Sequence, residues 1–107
     1  MKVVVYIAGP MRGLPDLGRR AFSVAEGCLR ARGYAVLNPA CLPEDLPAEA
    51  YMPICLAMLR EADVIALLPG WENSAGAKIE AAFAHEQHIK AFTIQELTRA
   101  GSGEVTA

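Results

Sequence analysis

Two apolar runs, "KVVVYIAG" (2–9) and "DVIALLP" (63–69), constrain the fold of this chain more than any other feature. Both are short, β-branched and without polar alternation, the pattern of strands covered on both faces. Helix-length segments separate them from each other and from the later strand. From Leu17 to Arg32, the residues Ala21, Val24, Ala25, Cys28 and Leu29 keep helical spacing, Asp16 is a candidate cap, and Gly33 is a natural stop. "YAVLNP" is a second strand. A proline-broken connection, "ACLPEDLPAEA", then leads to a helix from Ala48 to Ala62, with Pro53 in or near its first turn. After the third strand, "GWENS" turns into a helix from Ala75 to His88, followed by a fourth strand, "IKAFTI", and a short helical piece, "QELTRA". Strands alternating with helices predict an α/β, Rossmann-like three-layer sandwich whose short parallel sheet has four to five strands. One domain over residues 1–95 accounts for the pattern, and 96–107 reads as a C-terminal tail, partly disordered.

Right-handed crossovers gather the strand-to-helix loops along one edge of such a sheet, where ligands bind near the point of strand-order reversal. Those loops are "GPMRGLPD", "NPACLPED" and "PGWENS". The third carries the chemistry of most interest. With Ser74 as N-cap, its helix opens on Ala75, Gly76 and Ala77, and Glu80 follows one turn later. Helical side chains lean toward the N-terminus, so Glu80 lies over residues with almost no side chain, leaving a recess. The helix dipole is expected to keep this acid ionised, which suits a nucleophile or general base. On spacing alone, an exposed glutamate on a solvated helix face is the more common finding.

The first loop offers Gly9, Pro10, Met11, Arg12 and Gly13. It is neither GxGxxG nor a Walker loop. Arg12 and the free amides of the following helix are suited to an anion, or else the glycines serve a turn and the arginine is solvated. Tyr6, near the end of strand one, places a phenol where it can bond a carboxylate or simply fill the sheet. Trp71 either stacks on a planar base, caps the core or packs on a neighbouring subunit, and Asn73 stands beside it. His85 and His88 have no evident third ligand, and Asp63 belongs to the opposite edge as a structural residue.

A net charge of −2 without a basic run argues against a nucleic-acid polymer as partner. No run is long enough for a membrane span, and no signal-peptide pattern is seen. Three cysteines, Cys28, Cys41 and Cys55, lack zinc spacing and read as buried thiols of a cytoplasmic protein. No metal or organic cofactor is called for.

Together, "YIAGPMRGLPD", "GYAVLNPA" and "EADVIALLPGWENSAGAKIEAAFA" resemble the nucleoside 2-deoxyribosyltransferase superfamily, and most closely its small bacterial and phage branch. The resemblance spans Lys2 to His88. It implies a flavodoxin-like sheet and a homo-oligomer, a dimer or larger, in which neighbouring subunits complete sites. It further implies a deoxynucleoside or deoxynucleotide as ligand, with cleavage of the N-glycosidic bond or transfer of the deoxyribosyl group. Glu80 matches the acid that attacks the anomeric carbon and forms a covalent glycosyl-enzyme, and Tyr6 the phenol that orients it. Gly9, Pro10, Met11, Arg12 and Gly13 fall in the loop that lines the nucleotide pocket. Ser74 and Gly76 match the loop at the sugar's 5′ side or its phosphate, with Trp71 and Asn73 as further substrate-binding candidates. The pattern departs from the superfamily at Cys55, where an aspartate is usual; Glu44, Asp45 or Glu49 are the available substitutes. That departure motivates a second reading, a nucleotide-binding or sensing module with little turnover, and a third, a domain that kept the fold and lost the site. A receiver-type phosphoacceptor is excluded, because Gly9, Pro10 and Pro69 stand where its acids would be.

Overall fold

Alternation of residues along β1 (Val4–Ala8) defines the two faces of the sheet. Val5 and Ile7 leave the sheet on one face and Tyr6 and Ala8 on the other, and all four are fully buried. The computed structural model describes residues 2–105. Its remaining elements are α1 (Arg19–Ala31), β2 (Ala35–Leu37), α2 (Ala48–Arg60), β3 (Val64–Leu67), α3 (Ala75–Glu86), β4 (Lys90–Thr93) and α4 (Ile94–Ala100). Short 3₁₀ turns, Pro39–Cys41 and Trp71–Asn73, sit in the connections after β2 and β3.

The sheet is wholly parallel with strand order β2-β1-β3-β4. Val5 and Ile7 join Phe22, Ala25 and Leu29 of α1 and Leu97 of α4 in one core. Tyr6 and Ala8 join Cys55 and Leu59 of α2 and Ala77 and Ala84 of α3 in the other. The expected three-layer sandwich is therefore the fold, with four strands. Because β1 feeds a helix on one face and its neighbour β3 feeds one on the other, the crevice between their carboxyl ends is the switch point.

Several boundaries differ from expectation for identifiable reasons. Leu17 and Gly18 take left-handed backbone angles, φ 56° and 78°, so α1 starts at Arg19 rather than Leu17. Gly18, not Asp16, holds the N-cap position, and the Asp16 carboxylate two residues earlier accepts from the backbone N–H groups of Gly18 and Arg20 at 3.0 Å each. The buried stripe of α1 is Phe22, Ala25 and Leu29, whereas Ala21, Val24 and Cys28 face solvent. Burying a phenylalanine removes more apolar area than burying the alanine and valine beside it, and that sets the helix's rotation. Pro53, the sixth residue of α2, lies in its second turn, near the first as expected.

The segment after β4, expected to be a tail from residue 96, is helical to Ala100, with a capping box between Thr93 and Glu96 and with Leu97 fully buried. The Tyr34 hydroxyl donates to the Leu97 carbonyl at 2.7 Å. Beyond the helix, the Ser102 hydroxyl accepts from the Val3 N–H at 3.0 Å, fastening this segment to the start of β1. Residues 106 and 107 of the expected tail lie outside the described residues. Asp63 is structural, as expected: its carboxylate accepts from the Val4 N–H at 2.8 Å, joining β3's approach to β1. No helix among the described residues is long and apolar enough to cross a membrane.

Candidate active site

Tyr6 projects toward α2 and α3 because it is an even-numbered residue of β1, and there its hydroxyl donates to the Glu80 carboxylate. Both are buried: Tyr6 is 0% exposed and Glu80 7%, and Glu80 is the single buried polar or charged side chain among the described residues. Position explains the burial. Ser74 caps α3, its hydroxyl accepting from the Ala77 N–H at 3.2 Å, and Glu80 leans back over Gly76 and Ala77. A carboxyl group carried into a core costs several kcal/mol unless it is bonded or protonated, and the phenol supplies the bond.

Burial has a second consequence that corrects the expected ionisation. The Glu80 carboxyl is pushed up to about 7 by desolvation, against which the Tyr6 hydrogen bond pulls down. The helix dipole does not hold it ionised, because Glu80 is the sixth residue of α3 and the dipole fades beyond the first turn. Tyr6 is raised well above the ordinary phenol range, first by burial and then by the Glu80 charge, so it stays a neutral donor. The Cys55 thiol packs beside this pair and is likewise raised by burial. Cys55, Tyr6 and Glu80 thus form one buried group drawn from α2, β1 and α3.

Beside Gly76 stands Met52 of α2, whose Cε would lie 3.6 Å from a Cβ built there, an ordinary contact distance. Two open clefts lie elsewhere. One, of about 440 Å³, is lined by Arg19, Ser23, Glu26, Asn38, Ala40 and Cys41; the other, of about 350 Å³, includes His85, His88 and Lys90. Neither touches Glu80. Their charged side chains are exposed, apart from a half-buried Glu26 that accepts from Arg30 and Asn38, so the buried Tyr6–Glu80 pair is the stronger focus for chemistry.

The first loop divides between packing and exposure. A Cβ on Gly9 would meet the Leu68 Cβ at 2.7 Å, so this glycine lets the ends of β1 and β3 close together. Pro10 is wedged between two left-handed glycines: a Cβ on Gly18 would meet its carbonyl oxygen at 2.5 Å, and one on Gly70 its ring at 3.2 Å. Met11 packs on the α1 core. Arg12 and Gly13 are exposed, and Arg12 takes part in neither of the two ion pairs among the described residues. In the third loop, Trp71 is half-buried against the core that contains Tyr6, while Asn73 is exposed.

Other expectations are corrected. Cys28 and Cys41 are exposed, and Cys55 alone is buried. Glu44, Asp45 and Glu49 are exposed and do not join the Glu80 group; Glu44 instead pairs with Arg19 at 2.6 Å. No group of three His, Cys, Asp or Glu among the described residues is placed to hold a metal ion. Met52 escapes sequence reasoning entirely. Its signal is present only in combination, as a large flexible side chain one helical turn before Cys55 in "YMPIC".

A parallel α/β sandwich with a buried phenol–carboxyl pair beside its switch point is the class that fold and site define. Over residues 3–93 the chain matches the family model described as "Domain of unknown function (DUF4406)", and it belongs to that family. Among solved structures it is similar to a 2-desoxiribosyltransferase from Leishmania mexicana, with a TM-score of 0.70 and 21% sequence identity over 85% of this chain. The chain covers 63% of the length of that structure. At this identity the likeness establishes a shared fold. No curated protein matches the sequence.

Proposed function

We propose that this chain breaks the N-glycosidic bond of 2′-deoxyribonucleosides or their 5′-monophosphates, by hydrolysis or by transfer to a second base, with Glu80 as nucleophile. The observation that carries this reading is the buried Tyr6–Glu80 hydrogen bond beside the switch point. The fold shared with a 2-desoxiribosyltransferase and the motifs resembling the superfamily's small bacterial and phage branch support it. In the first step an ionised Glu80 oxygen bonds to C1′ while the C1′–N bond breaks, its electron pair going to the departing base, which takes a proton from solvent. Water or another base next attacks C1′, the C1′–O bond to Glu80 breaks with its electron pair returning to the carboxylate, and the attacking group gives its proton to solvent. A deoxy sugar has an oxocarbenium-like transition state that a nearby negative charge favours. Tyr6 holds the attacking group in one orientation throughout. The subunit acts as part of a homo-oligomer.

The test is to incubate the protein with deoxynucleosides and deoxynucleotides, resolve free base by chromatography, and repeat with Glu80→Gln. Release should fall by at least about a hundredfold in the variant. Equal release from both proteins would end the role of Glu80.

The neutral thiol of Cys55 beside Glu80 favours a second reading, a nucleotide-binding module with little turnover. Calorimetry separates the two: saturable binding of deoxynucleoside monophosphates without base release supports the second, and release supports the first.

A further inference from the structure

Cys55 is the third member of the buried group, and hydrogen-bond inventory fixes what its thiol can do there. It is 8% exposed and packs with Tyr6 in the core beneath α2 and α3. Its side chain is hydrogen-bonded to that of Tyr6, whose hydroxyl in turn donates to Glu80. A phenol has one hydrogen and two lone pairs. The hydrogen is spent on Glu80, so the bond to sulfur runs from the Cys55 S–H to a lone pair of the Tyr6 oxygen. We infer that Cys55 is a positioning residue of the proposed reaction, its thiol donating to the Tyr6 oxygen and thereby holding the phenol hydrogen on Glu80. Its part in turnover rests on the proposed function; the chain of bonds from α2 through β1 to α3 does not.

The properties of sulfur set the sense of this chain. A thiol is a weak acceptor, so a phenol hydrogen turned toward Cys55 would exchange a carboxylate oxygen for a poor partner. The phenol therefore keeps donating to Glu80 whether the acid is ionised or protonated. Burial holds the thiol in its S–H form, and it brings no second negative charge beside Glu80. A carboxylate at position 55 would do the reverse. It only accepts, so it would compete with Glu80 for the single hydrogen and repel its charge. Bonds in a chain polarise one another, so donation from sulfur strengthens donation to the carboxylate. Stronger donation favours the ionised acid, the form that attacks C1′.

The neighbouring elements supply no rival for this role. Glu49 and Arg60 of α2, Glu72 of the third loop, and Lys78, His85 and Glu86 of α3 are exposed. The Tyr51 hydroxyl of α2 donates to the Pro43 carbonyl. Ser74 spends its oxygen on the Ala77 N–H. Cys55 and Leu59 are the buried residues of α2, and of these only Cys55 carries a hydrogen to donate.

Two variants separate donation from packing: Cys55→Ser keeps a donor and Cys55→Val fills the space without one. Each is first checked for a cooperative thermal transition. The Glu80 carboxyl is followed by carbon-13 NMR against pH, and its signal is identified by its loss in Glu80→Gln. Cys55→Val should raise the Glu80 midpoint by about half a pH unit and lower base release at pH 7 about twofold with KM unchanged. Cys55→Ser should titrate as wild type or lower. A Cys55→Val curve that superimposes on the wild-type one overturns the inference, and so does an equal rise in both variants, the mark of packing alone. An infrared measurement needs no change at position 55. With Cys28→Ser and Cys41→Ser in place, the S–H stretching band of this chain belongs to Cys55. It should lie at the lower frequency of a bonded thiol and move up in Tyr6→Phe. A band at the unbonded frequency, or one that Tyr6→Phe leaves in place, overturns the chain of bonds. If the wild-type protein releases no base, the proposed function falls and the role in turnover falls with it, while the titration and the infrared band still decide whether Cys55 holds Tyr6 on Glu80.

Discussion

Tyr6 and Glu80 set each other's protonation, and the direction of the coupling is fixed by their hydrogen bond. The phenol stabilises the ionised carboxylate, so it lowers the Glu80 pKa from what burial alone would impose. Tyr6→Phe removes that bond without opening a large cavity. The Glu80 pKa should then rise above about 7, and the acidic limb of the base-release profile should move to higher pH, with a rate at pH 7 several-fold below wild type. Rates measured from pH 5 to 9 decide this, and a limb that stays in place contradicts the coupling. The same burial makes a prediction for the thiols. Cys28 and Cys41 are exposed, whereas Cys55 is buried with a raised pKa. A thiol-specific chromogenic reagent should therefore react quickly with two groups in the native protein and with the third only on unfolding. Rapid labelling of all three would show that α2 does not cover Cys55.

Two glycines on neighbouring elements test why small residues stand where they do. At Gly76 the helix of α3 is regular, and an added Cβ would meet Met52 at an ordinary 3.6 Å. Gly76→Ala should stabilise α3 by about 0.5–1 kcal/mol through backbone entropy, yet crowd the recess and weaken deoxynucleoside binding. At Gly9 the added Cβ would fall 2.7 Å from the Leu68 Cβ, forcing β1 and β3 apart. Gly9→Ala should destabilise the fold by about 1–3 kcal/mol. Thermal melts and calorimetry on both variants read the contrast; a destabilised Gly76→Ala or a neutral Gly9→Ala would contradict it. The elements themselves are largely legible in the sequence, since β1 and β3 are continuous apolar runs and Ser74 is a strong cap. What misleads is local. Phe22 outcompetes Val24 for the core, and the docking of α4 depends on Leu97 meeting Tyr34 across the chain, which no short window contains.

The molecule as a whole joins a legible pair to an illegible environment. That Tyr6 and Glu80 belong together is what the family resemblance implies, and strand alternation and helix lean agree with it; that their surroundings exclude water is not readable, because Cys55 comes from a helix more than twenty residues away in sequence. Desolvation is a property of the assembled fold, and it emerges as a dependence of stability on pH. In the unfolded chain Glu80 ionises near the ordinary 4.5, and in the fold near about 7. Below pH 4.5 it is protonated in both states and contributes its full share of stability. Between these values the unfolded chain releases the proton while the fold retains it, so stability falls as pH rises and levels off above about 7. The gap corresponds to about 3 kcal/mol at most. Asp16 and Glu26 act in the opposite sense, since hydrogen bonds lower both and their contributions fade in acid. A single melting curve therefore mixes the effects, and the difference between wild type and Glu80→Gln isolates one. Glutamine stays neutral at every pH and can still accept from Tyr6. Its stability relative to wild type should rise between pH 5 and pH 8 by about 1–3 kcal/mol, read as a denaturant midpoint at each pH. A difference that is flat over this range would mean that Glu80 is solvated in solution, and that the buried Tyr6–Glu80 pair is not the resting state of the protein.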